Sequence, residues 1–150
     1  MANIVPYSFP VELLSGTHQF QLGGNSFYLS LYTANPYTTA STAYSATSEV
    51  SSGGGSQYTA GGNLLASQAV SNVNNVATVD FADSVWGSPT PATFTAAFGA
   101  IYNSTSSNKL VVVLDFGGNK TCSNGTFTVT FPSPTAGTPS GSDAILSITS

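Results

Sequence analysis

The chain has 150 residues, enough for one domain with a sizeable core that needs no disulfide or metal support. Only 5% of its residues are charged, against roughly 25% in an ordinary globular protein. It has no arginine, two lysines (Lys109 and Lys120) and six acids, for a net charge of -4. So little positive charge cannot neutralise phosphates, which excludes nucleic acid as a partner class.

Hydroxyls take the place of charges: there are 23 serines and 19 threonines. Low charge alone would favour disorder, but 41% hydrophobic and 11% aromatic content is enough for a folded chain. Weak charge repulsion also suits a protein held in an assembly. Cys122 is the only cysteine, which rules out an intrachain disulfide and points to a quiet thiol at a strand edge. The start, MANIVPYSFP, has neither the basic nor the apolar region of a secretory signal. No apolar run approaches the ~18 residues of a membrane span.

In chain order, residues 1–11 carry Pro6 and Pro10, which argue against a regular strand or helix and predict an extended N-terminal arm. Its apolar members Ile4, Val5, Tyr7 and Phe9 either pack on their own domain or reach a neighbouring chain. After a GGN turn, Phe27, Leu29 and Leu31 alternate with Tyr28, Ser30 and Tyr32, the period of a strand with one buried face. Residues 34–62 are small, polar and glycine-broken, and predict a long surface excursion with some order, with room for a short helix near 38–49.

Strand signals then arrive steadily. NLLASQAV and VNNVATVDF flank an asparagine-rich turn, and ADSVWGSPTPA reads as a loop carrying the only tryptophan. ATFTAAFGAIY places Phe94, Ala96, Phe98, Ala100 and Tyr102 on one side, and KLVVVLDF is apolar enough to be buried on both faces. GGNKTCSNG predicts a turn, followed by a strict alternation of Phe127, Val129 and Phe131 with Thr126, Thr128 and Thr130. After a proline-rich loop at 132–142, AILSIT supplies a last strand. The expected fold is all-β: a single-domain antiparallel β-sandwich, jelly-roll-like, spanning 12–150 behind the arm.

No motif carries chemistry. His18 is the only histidine and no G-x-S-x-G elbow is present, so His18 reads as a hydrogen-bonded structural residue. The acids Glu12, Glu49, Asp80, Asp83, Asp115 and Asp143 show no glycosidase context and read as solvated. Asp80 and Asp83 lack the oxygen-ligand density of a calcium loop. One histidine and one cysteine do not make a zinc site, and the GGN and GGGS runs lack the helix and lysine of a phosphate cradle. The N-x-Ser/Thr triplets at Asn103, Asn119 and Asn124 are expected by chance in such a composition. No catalytic, cofactor-binding or metal residue is expected.

The order of segments ELLSGTHQF, SFYLSLYTA, YTAGGNLL, VDFADSVW, AIYNSTSSNKLVVVLDFG, GTFTVTFP and AILSIT resembles a group of small structural proteins of tailed bacteriophages and prophages. The resemblance runs from about residue 12 to residue 149. It implies a virion component without enzymatic activity, assembled in the host cytoplasm. Within that class it implies a capsid decoration or cement protein, or else a tail, neck or head-fibre accessory. The implied partners are the major capsid protein or another virion protein, and further copies of the chain in a homo-oligomer, with no nucleic acid and no membrane. A competing expectation is a carbohydrate-binding module that stacks sugars on Trp86, Tyr37, Tyr44 and Tyr58.

Overall fold

The computed structural model describes residues 2–73, 75–132 and 145–149. The proline-rich loop beyond Pro132, and Asp143 within it, lie outside the described residues. One short helix, α1 (Phe9–Leu14), precedes the strands β1 (Phe27–Tyr32), β2 (Asn63–Leu64), β3 (Ala69–Val73), β4 (Val76–Asp80), β5 (Ser84–Trp86), β6 (Ala92–Asn103), β7 (Lys109–Gly125), β8 (Phe127–Val129) and β9 (Leu146–Thr149). They form antiparallel sheets in the orders β2-β1-β6-β7, β3-β4-β9 and β5-β8. Among the described residues the chain is all-β apart from that helix.

The central part of the four-stranded sheet, β1, most of β6 and the first half of β7, is buried on both faces. Phe27, Leu29, Leu31, Phe94, Ile101, Val111 and Val112 belong to a large cluster that also takes in Phe81, Trp86, Phe127 and Phe131. Tyr32, Ala100, Leu110 and Val113 form a smaller one with Tyr37. This doubles the expectation for β1: Ser30 and Tyr32 are as fully buried as Phe27, Leu29 and Leu31.

The single apolar face expected for 94–102 does not survive. Register shifts interrupt the β6–β7 ladder at Ala96/Phe98 and at Ile101/Tyr102. Across the first shift, Phe94 and Ala96 belong to the large cluster and Phe98 and Ala100 to the small one; Ile101, next to Ala100, belongs to the large cluster by ordinary alternation. A β-bulge changes which face the following residues occupy. Period-two reading carries no information about that switch.

GGNKTCSNG is also no turn. β7 runs through it, and between the pairs Phe98↔Asp115 and Ala96↔Lys120 the strand accommodates extra residues against β6. Gly117 and Gly118, at φ 72° and 123°, allow the chain to bulge there without a Cβ penalty. The expected tryptophan loop forms β5, where Trp86 pairs with Phe127 across to β8. The alternation at the end of β8 holds: Phe127 and Phe131 are buried, and Thr126, Thr128 and Thr130 are exposed.

The two prolines do not keep residues 1–11 extended. Ile4 forms an antiparallel bridge with Val113, Pro6 is fully buried, and α1 begins at Phe9 with Pro10 in its first turn. Proline is accepted there because the missing N–H would have no intrahelical partner and its fixed φ suits a helix.

Truncating the buried ring with Phe127→Ala should cost about 3–5 kcal/mol in the denaturant midpoint analysis, while Thr128→Ala on the opposite face should be close to neutral. A larger loss for the threonine variant would invert the facing.

Candidate functional site

The first polar cluster lies where α1 meets the β6–β7 end of the sheet. Glu12 is buried and accepts from Lys109 Nζ at 2.6 Å and from His18 Nε2 at 3.0 Å. The tautomer follows from the neighbours. Asn103 Oδ1 accepts from the Ser106 N–H at 3.2 Å, so its amide nitrogen faces His18 Nδ1 at 3.1 Å, Asn25 Oδ1 at 2.9 Å and Thr17 O at 3.2 Å. Nδ1 is then an acceptor and the ring proton sits on Nε2, donating to Glu12.

Burial lowers the His18 pKa below its ordinary value of 6.5, against the opposing pull of Glu12. Burial raises the Glu12 carboxyl, but hydrogen bonds from Lys109 and His18 outweigh it and leave it below 4.5. Both ring nitrogens are occupied and neither touches a hydroxyl nucleophile, so the cluster ties the helix to the sheet. The sequence expectation that Glu12 is solvated is corrected here.

The second cluster surrounds Glu49. Its Oε1 accepts from Tyr58 OH at 2.6 Å and from the Gly61 N–H at 2.7 Å, and its Oε2 accepts from Tyr44 OH at 2.7 Å. The Tyr58 hydroxyl also accepts from the Leu31 N–H at 3.0 Å. Tyr102 OH donates to Gly61 O at 2.8 Å, and Tyr32 and Tyr37 share a 2.6 Å hydroxyl contact. Burial, and then the Glu49 carboxylate, push the Tyr58 and Tyr44 phenols well above their usual range; burial chiefly drives Tyr102 up to about 12. These phenols stay protonated and act as donors.

The glycines of YTAGGNLL complete this arrangement. Gly62 has φ +82°, and a Cβ there would run into the Leu29 carbonyl. Backbone bonds from Val50 to Leu31 and from Thr33 to Ser48, each 2.9 Å, lash the same excursion along β1. Residues 34–62 are thus held down by their own tyrosines, without the short helix expected near 38–49. Sequence reasoning missed Glu49 and Asn103; the available signal was one carboxylate in a segment with three tyrosines, and one asparagine ending an apolar run.

The sequence-derived contact residues separate. Ile4 is half-buried beside the small cluster and Phe9 is in the large core, whereas Val5 and Tyr7 are exposed. The expected sugar platform is overturned: Trp86, Tyr37 and Tyr58 are buried and Tyr44 is half-buried. Their rings are spent on packing, with Tyr58 stacked on Trp86 at 6.2 Å. Asp80 caps the Phe81 N–H and Asp83 the Phe131 N–H, each at 2.9 Å, so the two carboxylates serve backbone groups. Cys122 is buried with its thiol on Phe94 O at 3.7 Å. Among the described residues no group of three or more His, Cys, Asp or Glu side chains is placed to hold a metal, and no helix is long and apolar enough to cross a membrane.

Beside the first cluster, α1 and the β3-β4-β9 sheet enclose an apolar groove of about 420 Å³, with Val5, Pro10, Leu13, Val70, Val79 and Ile148 in its walls.

The lowered His18 and Glu12 pKa values fix the sign of a pH effect. Below about 6.5 the unfolded chain takes up a proton on His18 that the folded chain refuses, so stability falls as pH falls. Glu12 adds a fall of the same sign below 4.5. Urea midpoints measured from pH 8 to pH 4 should show a drop beginning near 6.5 that is absent in His18→Gln. Tyr58→Phe should cost about 1–3 kcal/mol, because it strips Glu49 of a donor and leaves the Leu31 N–H without its acceptor; a neutral result in the same assay would remove Tyr58 from the network.

Comparison of the chain with protein-family models, with curated proteins and with solved structures gives no match in any of the three.

Proposed function

We propose that this chain is a non-enzymatic structural protein of a bacteriophage virion, and within the virion a capsid decoration or cement protein that binds and stabilises the assembled head. The observation that carries the reading is the chemistry of the surface. Lys109 is paired with the buried Glu12, which leaves Lys120 as the only other lysine. The polar surface is built from hydroxyls, and large apolar side chains including Val5, Tyr7, Val11 and Leu14 stand exposed. Such a surface attaches through apolar and hydrogen-bonded contacts, and repetition on a lattice adds avidity to each weak contact.

The polar groups that do approach one another inside the molecule fasten loops and the helix, which supports a structural role over a catalytic one. The sheets are read here as a jelly-roll-like sandwich, an architecture common among proteins that present loops and flat faces to a shell. The order of strand cores from residue 12 to residue 149, which resembles small structural proteins of tailed phages, supports the same assignment.

The test is co-sedimentation of the purified protein with heads that lack it, at low salt and at about 1 M, where the screening length is about 3 Å. Binding to heads should be retained at both. Loss of binding at high salt would mean attachment by charge, and binding to tails alone would move the protein to the tail or neck.

A further inference from the structure

We propose that the outward ridge of α1 and the apolar groove beside it form an isologous interface between two copies of this chain. The inference goes beyond the virion reading and does not depend on it.

The ridge and the groove are neighbours on one element. Pro10 and Leu13 of α1 line the groove, together with Val70, Val79 and Ile148 from the facing sheet. Leu14 follows Pro10 by four residues and Val11 by three, so at 3.6 residues per turn both stand immediately beside the groove wall. Tyr7, in the turn that leads into α1, is exposed as well. A two-fold axis requires a patch that is complementary to itself. A projecting apolar ridge adjoining an apolar groove meets this condition, since each copy then seats its ridge in the other's groove.

The exposed apolar residues concentrate there. Val5, Tyr7, Val11, Leu14, Val70 and Ile148 are all exposed, from 44% for Val5 to 90% for Leu14. Taking ~60–120 Å² for a fully exposed aliphatic side chain, their open surface is on the order of 350 Å². One side of a standard interface buries about 800 Å², of which roughly 57%, or ~450 Å², is apolar. The groove walls supply the difference.

Charge favours a second copy over an ionic partner. Neither the ridge nor the groove lining includes Lys, Arg, Asp or Glu, and the nearest acid, Glu12, is bonded to Lys109 and His18. Two copies of a chain with net charge -4 meet here without placing like charges in contact. The groove offers no charged group to steer a peptide or an anion.

Light scattering after size exclusion, over a range of micromolar concentrations, should show the intact protein as a dimer. Leu14→Glu and Ile148→Lys lie at exposed positions and should keep the circular dichroism of the parent. Each should weaken the dimer by about 30-fold or more, the scale of a truncated interface anchor. Mixing the two variants should restore dimer, because the new charges then face each other across one half of the interface. A parent protein that stays monomeric, a dimer indifferent to both substitutions, or a mixture that stays monomeric overturns the proposal. If the substitutions abolish co-sedimentation with heads while the parent is monomeric, the shell occupies this patch instead of a second copy.

Discussion

The antiparallel pairing of β6 with β7 is the constraint on which the rest depends. The ladder runs from Asn103↔Lys109 to Ala92↔Gly125, and both strands are nearly free of exposed apolar side chains in their central parts. Two strands buried on both faces need two cores. The β5-β8 sheet contributes the rings of Trp86 and Phe127 to one, and the β3-β4-β9 sheet packs Val79 and Leu146 against it. Ile4 and Tyr37, from the N-terminal segment and the 34–62 excursion, close over the other. The bulges decide which side chain serves which core, because each changes the face that the following residues occupy.

A chain with few charges must still satisfy its buried polar groups, and it does so with two carboxylates. Glu12 gathers Lys109 and His18 at the foot of α1. Glu49 gathers two phenols and a backbone N–H above β1. In both places a single negative group accepts several donors, which makes charge-assisted hydrogen bonds stronger than neutral ones. Unpaired, the buried Glu12 carboxylate would carry a heavy desolvation cost. The two clusters tether the two segments with the least regular structure, residues 2–22 and 34–62, to the central sheet.

This arrangement also separates inside from outside. Trp86 and the tyrosines Tyr32, Tyr37, Tyr44, Tyr58 and Tyr102 are consumed in packing and in bonding Glu49 and its neighbours, whereas Tyr7 stays exposed. Among the described residues, the surface is dominated by hydroxyls, with a limited set of exposed apolar side chains of which Val5, Tyr7, Val11, Leu14, Val70 and Ile148 lie on or beside α1 and its groove. The interaction chemistry left to the protein is therefore apolar and uncharged. That supports a role in an assembly, and the dimer interface inferred above would use the same surface.

The sequence by itself determined the all-β class, the strands at 27–32 and 76–80, the alternating burial from Phe127 to Phe131 that begins in β8, and the doubly buried run at 110–113. These are written in local alternation and in continuous apolar runs, and neighbouring residues decide them. It also identified His18 as a hydrogen-bonded structural residue. Only the tertiary structure decided the rest. The face switch within β6 arises from extra residues on β7, a mismatch between two strands that neither shows alone. GGNKTCSNG became strand because β6 was long enough to pair beyond the glycine bulge, where a local reading sees only turn residues. Pro10 began a helix because its position in the first turn left no N–H missing, and packing of Phe9 and Glu12 held that turn in place. Glu49 meets Tyr44, Tyr58 and Gly61 at 5, 9 and 12 positions away, and Asn103 meets His18 at 85; no period-two or helical pattern encodes such meetings.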